Sequence, residues 1–295
     1  CHLPIPYDAT CSGLQHLSAM GLSEFGGRHV NLTADEHRHY IYQVVANKTL
    51  AIVTAEAMAG REIAKHWLGH ISRKTVKRQT MTLCYGATPT GMRKMALEDG
   101  HCDGLPGLKT ANAKYITECI LQAITDVLTE GSLIMDWLQD CATVIAKENR
   151  PIRFTTPIGM TVNQAYYKKT EKRITTLFGE AHLWDEDPEL GMDRARMRQA
   201  IVPNVIHAYD AAHLYRTVNA VSDQYGPIPW AMVHDSYGTW AGEPTKVMTR
   251  VLREQFVDIY SVNQLDHLHR CFQESAPGAT LPTPPARGQL NINDV

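Results

Sequence analysis

Apolar positions recur every three to four residues over several long stretches of the chain and crowd into short runs at a few others. The first pattern predicts helices and the second strands. Thr33-Ala34-Asp35-Glu36 ahead of a periodic stretch reads as a capping box that opens a helix from about Ala34 to Met58. Arg73 to Tyr85 contains no Gly or Pro and predicts a second helix, on which Arg73, Lys77, Met81 and Tyr85 form one stripe at successive i, i+4 positions. After a Gly-rich loop from His101 to Lys109, two amphipathic helices follow between about Ala111 and Glu148, separated near Gly131. Pro203-Asn204 opens another helix, which Tyr225-Gly226-Pro227 ends, and two more run from about Pro244 to Tyr260 and Asn263 to Glu274.

The short runs are fewer. Leu3 to Asp8 is an extended run that ends in a carboxylate, continuing into a segment that turns helical by Leu14. Arg153 to Val162 is a hairpin with Pro157-x-Gly159 at its turn, and Leu290-Asn291-Ile292 is a short closing strand. Ile228 to Trp240 holds two short apolar runs around His234-Asp235-Ser236, which reads as strand, tight turn and strand with Asp235 at the bend. The pattern predicts a helix-rich α+β protein.

Composition changes this picture little. The 295 residues are 44% hydrophobic and 20% charged, ordinary for a globular protein able to bury one large core or two small ones. The net charge of -2 argues weakly against a nucleic-acid partner, but the distribution reverses that. Arg61, Lys65, Arg73, Lys74, Lys77, Arg78, Arg93 and Lys94 fall in one stretch opposed there only by Glu62, and so lopsided a stretch repels itself without an anionic partner. Seven cysteines without a CxxC pair make neither a disulfide framework nor a zinc site and point to a reducing compartment. Cys11 reads as a small packed residue, since no base is spaced to activate it. No run approaches the ~20 apolar residues of a membrane span.

Two carboxylates at strand ends, facing a helix that grades from cations to an aromatic ring, are the parts that nucleotidyl transfer needs. Carboxylates bridge two divalent ions, cations hold a triphosphate, and a ring borders the sugar.

The segments that carry these parts resemble a known family. Asp8-x-x-Cys11-x-Gly13-x-Gln15-His16, Lys77-Arg78-x-x-Met81-Thr82-x-x-Tyr85-Gly86 and His234-Asp235-Ser236-x-Gly238-Thr239 are similar to motifs A, B and C of the single-subunit RNA polymerases of the bacteriophage and mitochondrial type. Gly26-Gly27-Arg28-x-Val30-Asn31-Leu32, Pro203-Asn204-x-x-His207 and Gly288-x-Leu290-Asn291 extend the similarity nearly end to end, closer to the phage branch and over the later half of such an enzyme.

The resemblance implies a right-hand polymerase: palm pieces at 1–30 with motif A and 208–295 with motif C, and helical fingers at 31–207. The motif B helix would occupy 73–86, with thumb and amino-terminal domain outside this chain. It implies that Asp8, Asp235 and the Ala9 carbonyl hold two Mg2+ ions, with Ala9 standing where phage enzymes usually have Gly. Arg73 and Lys77 would neutralise the triphosphate, Lys77 also assisting pyrophosphate departure, and Arg78, Met81, Tyr85, Gly86 and Tyr42 would surround the nucleotide. His207 would bond the ribose 2′-hydroxyl. Residues 166–201 match a specificity hairpin that enters promoter DNA, through Lys168, Lys169, Lys172 and Arg173, with His234 a further nucleic-acid contact. Against DNA, the acidic Asp185 to Glu189 must point away or bind a protein. Thr90-Gly91-Met92 departs from an aromatic-Gly-aromatic pattern, and the family's insertion after the first long helix and its apolar carboxyl-terminal tail are shortened here.

The implied partners are DNA template and promoter, nascent RNA, ribonucleoside triphosphates and an upstream segment or second polypeptide, without a membrane, in the host-cell cytoplasm. Because the chain begins with Cys1 and enters motif A at once, it reads as a fragment, a processed product or one piece of a split enzyme that is inactive alone. Two alternatives remain. A family A DNA polymerase shares a Lys-to-Tyr-Gly helix but usually carries Glu where Ser236 stands and a different motif A. A non-catalytic nucleic-acid-binding subunit would have less reason to keep Asp8, Asp235 and Lys77.

Overall fold

A computed structural model describes residues 3–294; Cys1, on which the reading of the chain's start rests, lies outside them. Strand β1 (Pro4–Asp8) leads into α1 (Ser12–Met20) and α2 (Glu24–His29). Then come α3 (Ile41–Met58), α4 (Glu62–His66), α5 (Arg73–Leu83), α6 (Pro89–Glu98), α7 (Lys109–Val127) and α8 (Thr129–Lys147). Two hairpins, β2 (Ile152–Thr155) with β3 (Thr161–Gln164) and β4 (Lys169–Thr176) with β5 (Gly179–Glu186), precede the 32-residue α9 (Arg194–Tyr225). Strands β6 (Ala231–Val233) and β7 (Ser236–Trp240) and helices α10 (Glu243–Tyr260) and α11 (Gln264–Ser275) complete the order. The helix-rich α+β reading holds.

One large core runs through α1, α3, α7, α8 and α9 and is closed by Phe256, Tyr260 and Phe272 from the last two helices. A small second cluster, Val221, Val247 and Val251, lies where α9 meets α10. The three-stranded sheet is antiparallel in the order β1-β7-β6, so strands from opposite ends of the chain share one ladder, with Asp8 opposite Ser236. Every residue of β1 is exposed.

Four boundaries differ from the sequence reading. The helix expected from Ala34 begins at Ile41: the Thr33 hydroxyl that would cap it finds no hydrogen-bond partner among the described residues, and Asp35 within the expected first turn is taken by Arg28 Nε at 2.9 Å and His39 Nε2 at 2.7 Å. The break between α7 and α8 falls at Leu128 (φ -118°, ψ 55°), and Gly131 lies inside α8 against Leu17. The helix expected to open at Pro203 begins at Arg194, capped by Asp193. Residues 194–201 are therefore helical, and the hairpin within 166–201 is confined to eight residue pairs. No closing strand forms at Leu290: Gly288 and Leu290 donate their N–H groups to the carbonyls of Gly21 and Leu22, followed by a single 3-10 turn at Ile292–Asp294.

Pro203 inside α9 removes the donor that would bond the Gln199 carbonyl. Gly86 packs beside that point, where a Cβ on it would stand 3.5 Å from the Gln199 carbonyl oxygen. Its φ of 84° closes α5 with bonds from Gly86 N to Leu83 O and Ala87 N to Thr82 O, and a Cβ there would press on the Pro203 ring at 3.2 Å. The end of α5 is thus locked against α9.

Candidate active site

The β1-β7-β6 ladder fixes the two carboxylates. Ala9 N donates to the Asp235 carbonyl at 3.3 Å, which holds the residue after Asp8 directly against the bend that carries Asp235. His234 supplies that bend with a left-handed φ of 53°, costly for a residue with a side chain and found where a tight turn is imposed. Burial, then the negative charges of Asp210 and Asp8, push the Asp235 carboxyl above its usual range. The donor set of Asp8, Asp235 and a neighbouring carbonyl is hard oxygen throughout and fits magnesium, whose remaining ligands are usually water and substrate phosphate. Among the described residues no group of three His, Cys, Asp or Glu side chains is arranged to hold a metal.

The basic helix lies across from these carboxylates. Its buried face is Thr75, Val76, Gln79 and Thr80, which leaves Arg73, Lys77 and Met81 outward. The Arg73 guanidinium lies 5.6 Å from the centre of the Tyr42 ring and 5.8 Å from that of Tyr40; Lys77 Nζ lies 6.0 Å from Tyr42. Tyr42 itself is buried, so it serves both core and site. The Cys11 thiol is pushed up by its burial and feels the charges of both Asp235 and Lys77. Its proton is held tightly, as a packing role requires.

Beyond the end of α5, Tyr85 stacks on His207 with centroids 4.9 Å apart and planes 20° from parallel. Residues 122 positions apart thereby form one surface, with the His207 side exposed. Gly13 makes the approach possible, since a Cβ there would overlap Cys84 Sγ and crowd the Tyr85 ring at 3.1 Å. His213, one of the helical histidines, is instead buried in the core: its Nε2 donates to the Leu252 carbonyl at 2.8 Å, and burial pulls its pKa down to about 4.

Arg78 is not brought to this surface. It pairs with Asp99 at 2.7 Å and Glu98 at 3.2 Å near the end of α6, on another side of α5. Other cations of the basic stretch are likewise neutralised, Arg61 by Glu56, Lys65 by Glu62 and Lys94 by Glu98. In β4 and β5, Lys172 pairs with Asp185 at 2.7 Å, and Glu171 is shared by Arg173 and His182. Glu186 pairs with Arg196, and Asp187 caps the turn at Pro188–Leu190. Within the acidic segment, Asp185 thus answers a cation of the hairpin and Glu186 one of α9. Lys168 and Lys169 stand at the base of this hairpin.

Sequence reasoning assigned no role to Asp210 or Ser12. Ser12 Oγ donates to Asp210 at 2.5 Å, and His16 donates from Nε2 at 3.4 Å while its Nδ1 accepts from the Tyr260 hydroxyl. Burial raises the Asp210 carboxyl, but these bonds outweigh it and hold it below its usual range. Asp210 lies one turn after His207, so it ties the helix bearing His207 to the helix that follows Asp8. The contact spans 198 positions and leaves no local pattern.

A family model described as DNA-dependent RNA polymerase matches residues 1–294. A DNA-directed RNA polymerase 3B, chloroplastic, of Nicotiana tabacum is 36% identical over 304 residues, covering 100% of this chain and 30% of that protein. The DNA-directed RNA polymerase 2, chloroplastic/mitochondrial, of Arabidopsis thaliana is 34% identical over 303 residues, again 100% of this chain and 30% of the relative. A shorter relative, DNA-directed RNA polymerase 2A of Nicotiana tabacum, is 34% identical with 90% of its length covered. The chain thus spans about a third of the longer relatives it matches.

Proposed function

The chain belongs to the DNA-dependent RNA polymerase family, and from that membership we propose that it is the catalytic part of a phage-type enzyme performing DNA-templated RNA synthesis. The observation that carries the proposal is the seating of Asp8 beside the turn that bears Asp235, with the Cys11 thiol near enough to both Asp235 and Lys77 to feel their charges. β1 and β6–β7 are read as palm, and 31–207 as fingers.

Asp8 and Asp235, with the Ala9 carbonyl, would hold two magnesium ions, which activate the RNA 3′-hydroxyl and offset charge on the phosphates when bound. Arg73 and Lys77 bind the triphosphate, and Lys77 offsets the charge that develops on the leaving pyrophosphate. Tyr85 borders the sugar and templating base beside Met81 and Gly86. His207, held flat against Tyr85, presents a ring nitrogen to the ribose 2′-hydroxyl. Lys168, Lys169 and His234 approach nucleic acid. Arg78 is left to the template side, if its carboxylate pairs exchange for phosphate. DNA, promoter, nascent RNA and an upstream polypeptide are the proposed partners. The six described cysteines are all free, which suits a reducing compartment; the phage-branch reading makes that the host cytoplasm, whereas the relatives are chloroplastic or mitochondrial by name. No described helix is long and apolar enough to cross a membrane.

The test is extension of an RNA primer on a DNA template with magnesium, with ribo- or deoxynucleotides, by the chain alone and with the upstream part of a relative supplied. Extension selective for ribonucleotides is expected in the second case. Deoxynucleotide-selective extension would favour a DNA polymerase, and retained DNA binding without any extension would favour a non-catalytic subunit.

A further inference from the structure

Arg73 occupies an electrostatically awkward place. It opens α5, whose amino-terminal end carries the positive pole of the helix dipole, and no acidic residue stands in that first turn. Elsewhere in this basic stretch Arg61, Lys65 and Arg78 are offset by carboxylates. Among the described residues no carboxylate pairs with Arg73, which faces two aromatic rings, Tyr42 from the core and Tyr40 from the surface. Rings stabilise a guanidinium without cancelling its charge toward a third group.

The chain also fixes where Tyr40 stands. Asn31, in a left-handed conformation with φ 63°, accepts from His39 N at 2.7 Å and donates to His39 O at 3.1 Å and Thr10 Oγ1 at 3.0 Å. One side chain thereby clamps the loop before α3 to the segment two residues past Asp8. Tyr40 is the cap residue of α3, yet its side chain makes no capping bond, and its ring is 49% exposed. The ring is therefore free to face Arg73.

We propose that Tyr40 is a positioning residue that, together with Tyr42, holds the Arg73 guanidinium charged and oriented for the phosphates of the incoming nucleoside triphosphate. This rests on the reading of the site as a nucleotide site and adds to it a residue outside the family motifs. A cation–π contact at a partly exposed site corresponds to a roughly three- to tenfold change in affinity.

The experiment compares wild type with Tyr40→Phe, Tyr40→Leu and Tyr40→Ala. It measures binding of magnesium nucleoside triphosphate and of the monophosphate, KM and kcat in primer extension with the upstream part of a relative supplied, and the melting temperature. Leu and Ala are expected to raise the triphosphate Kd and KM roughly three- to tenfold, with kcat little changed and monophosphate binding untouched, while Phe behaves as wild type. Leu keeps apolar bulk, so it reports loss of the ring even if Ala alters the loop. Unchanged triphosphate binding in Leu and Ala would overturn the proposal, as would equal loss for mono- and triphosphate or impairment by Phe. Wild-type protein that binds no triphosphate would overturn the site reading itself, a distinct result.

Discussion

Helix α5 and the β4–β5 hairpin both present runs of cations, yet they differ in what the fold does with them. Of the four cations in α5, only Arg78 has a carboxylate partner, and Arg73 and Lys77 lie on tyrosine rings. The strands of the hairpin carry three cations and four carboxylates, and the pairing across the ladder brings Lys172 to Asp185 and leaves Glu171 between Arg173 and His182. A count of Lys and Arg is therefore not a potential. The helix leaves Arg73 and Lys77 without a carboxylate among the described residues; the hairpin pairs most of its cations internally and offers shape, with Leu177 and Phe178 fully exposed at its tip.

Lys77→Ala gives the largest expected effect. Removing a cation that has no carboxylate partner among the described residues and would face the triphosphate should lower the rate of nucleotide addition by about 10²- to 10³-fold, whereas Lys172→Ala should leave it within about twofold; single-turnover extension measures both. Equal losses would erase the distinction. His207→Ala should cost about tenfold in the preference for ribo- over deoxynucleotides, the scale of one lost hydrogen bond, read from kcat/KM for each; equal losses on both substrates would remove its role.

The acidic side of the site has its own sign. Asp210 is held below the usual carboxylate range, so its ionised form contributes stability above its unfolded pKa, and that contribution is lost as pH falls through the depressed folded value. Asp235 is raised, so its contribution is present below the unfolded pKa and lost as pH rises through the folded one. Melting curves without metal should show Asp210→Asn destabilised at neutral pH with a shallower acid limb, and Asp235→Asn slightly stabilised at neutral pH. The reverse order would contradict the assigned charges. The smallest effect falls on the hairpin: Asp185→Asn releases Lys172 and should tighten DNA binding by about two- to threefold at low salt, vanishing at high salt. No change in the salt dependence would show that the pair does not set the hairpin's charge.

What could be read from sequence was local. The strand–turn–strand around Asp235, the strand ending at Asp8, the α5 stripe and helices α10 and α11 follow from periodicity and breakers within one window. Most of what escaped depends on distant partners. Nearer by, Thr33 and Glu36 match a capping box, but the Thr33 hydroxyl is left without a hydrogen bond among the described residues and α3 starts at Ile41, beside which Tyr40 faces Arg73. Arg78 belongs to the same basic run as Lys77 but meets Glu98 and Asp99 some twenty residues on. Pro203 reads as a helix start because an interior proline is costly, and only the docking of Gly86 explains its place. Asp210 was visible on its helix, but its partners Ser12 and His16 lie near the other end of the chain.

The central claim is that Asp8 and Asp235 act with Lys77 in nucleotidyl transfer. Its most direct test is single-nucleotide addition to an RNA primer by wild type and Asp235→Asn, each supplied with the upstream polypeptide and checked for DNA binding. The account predicts ribonucleotide addition by wild type and its loss by at least about 10³-fold in Asp235→Asn, with DNA binding preserved. Addition by Asp235→Asn at a near-normal rate would contradict it.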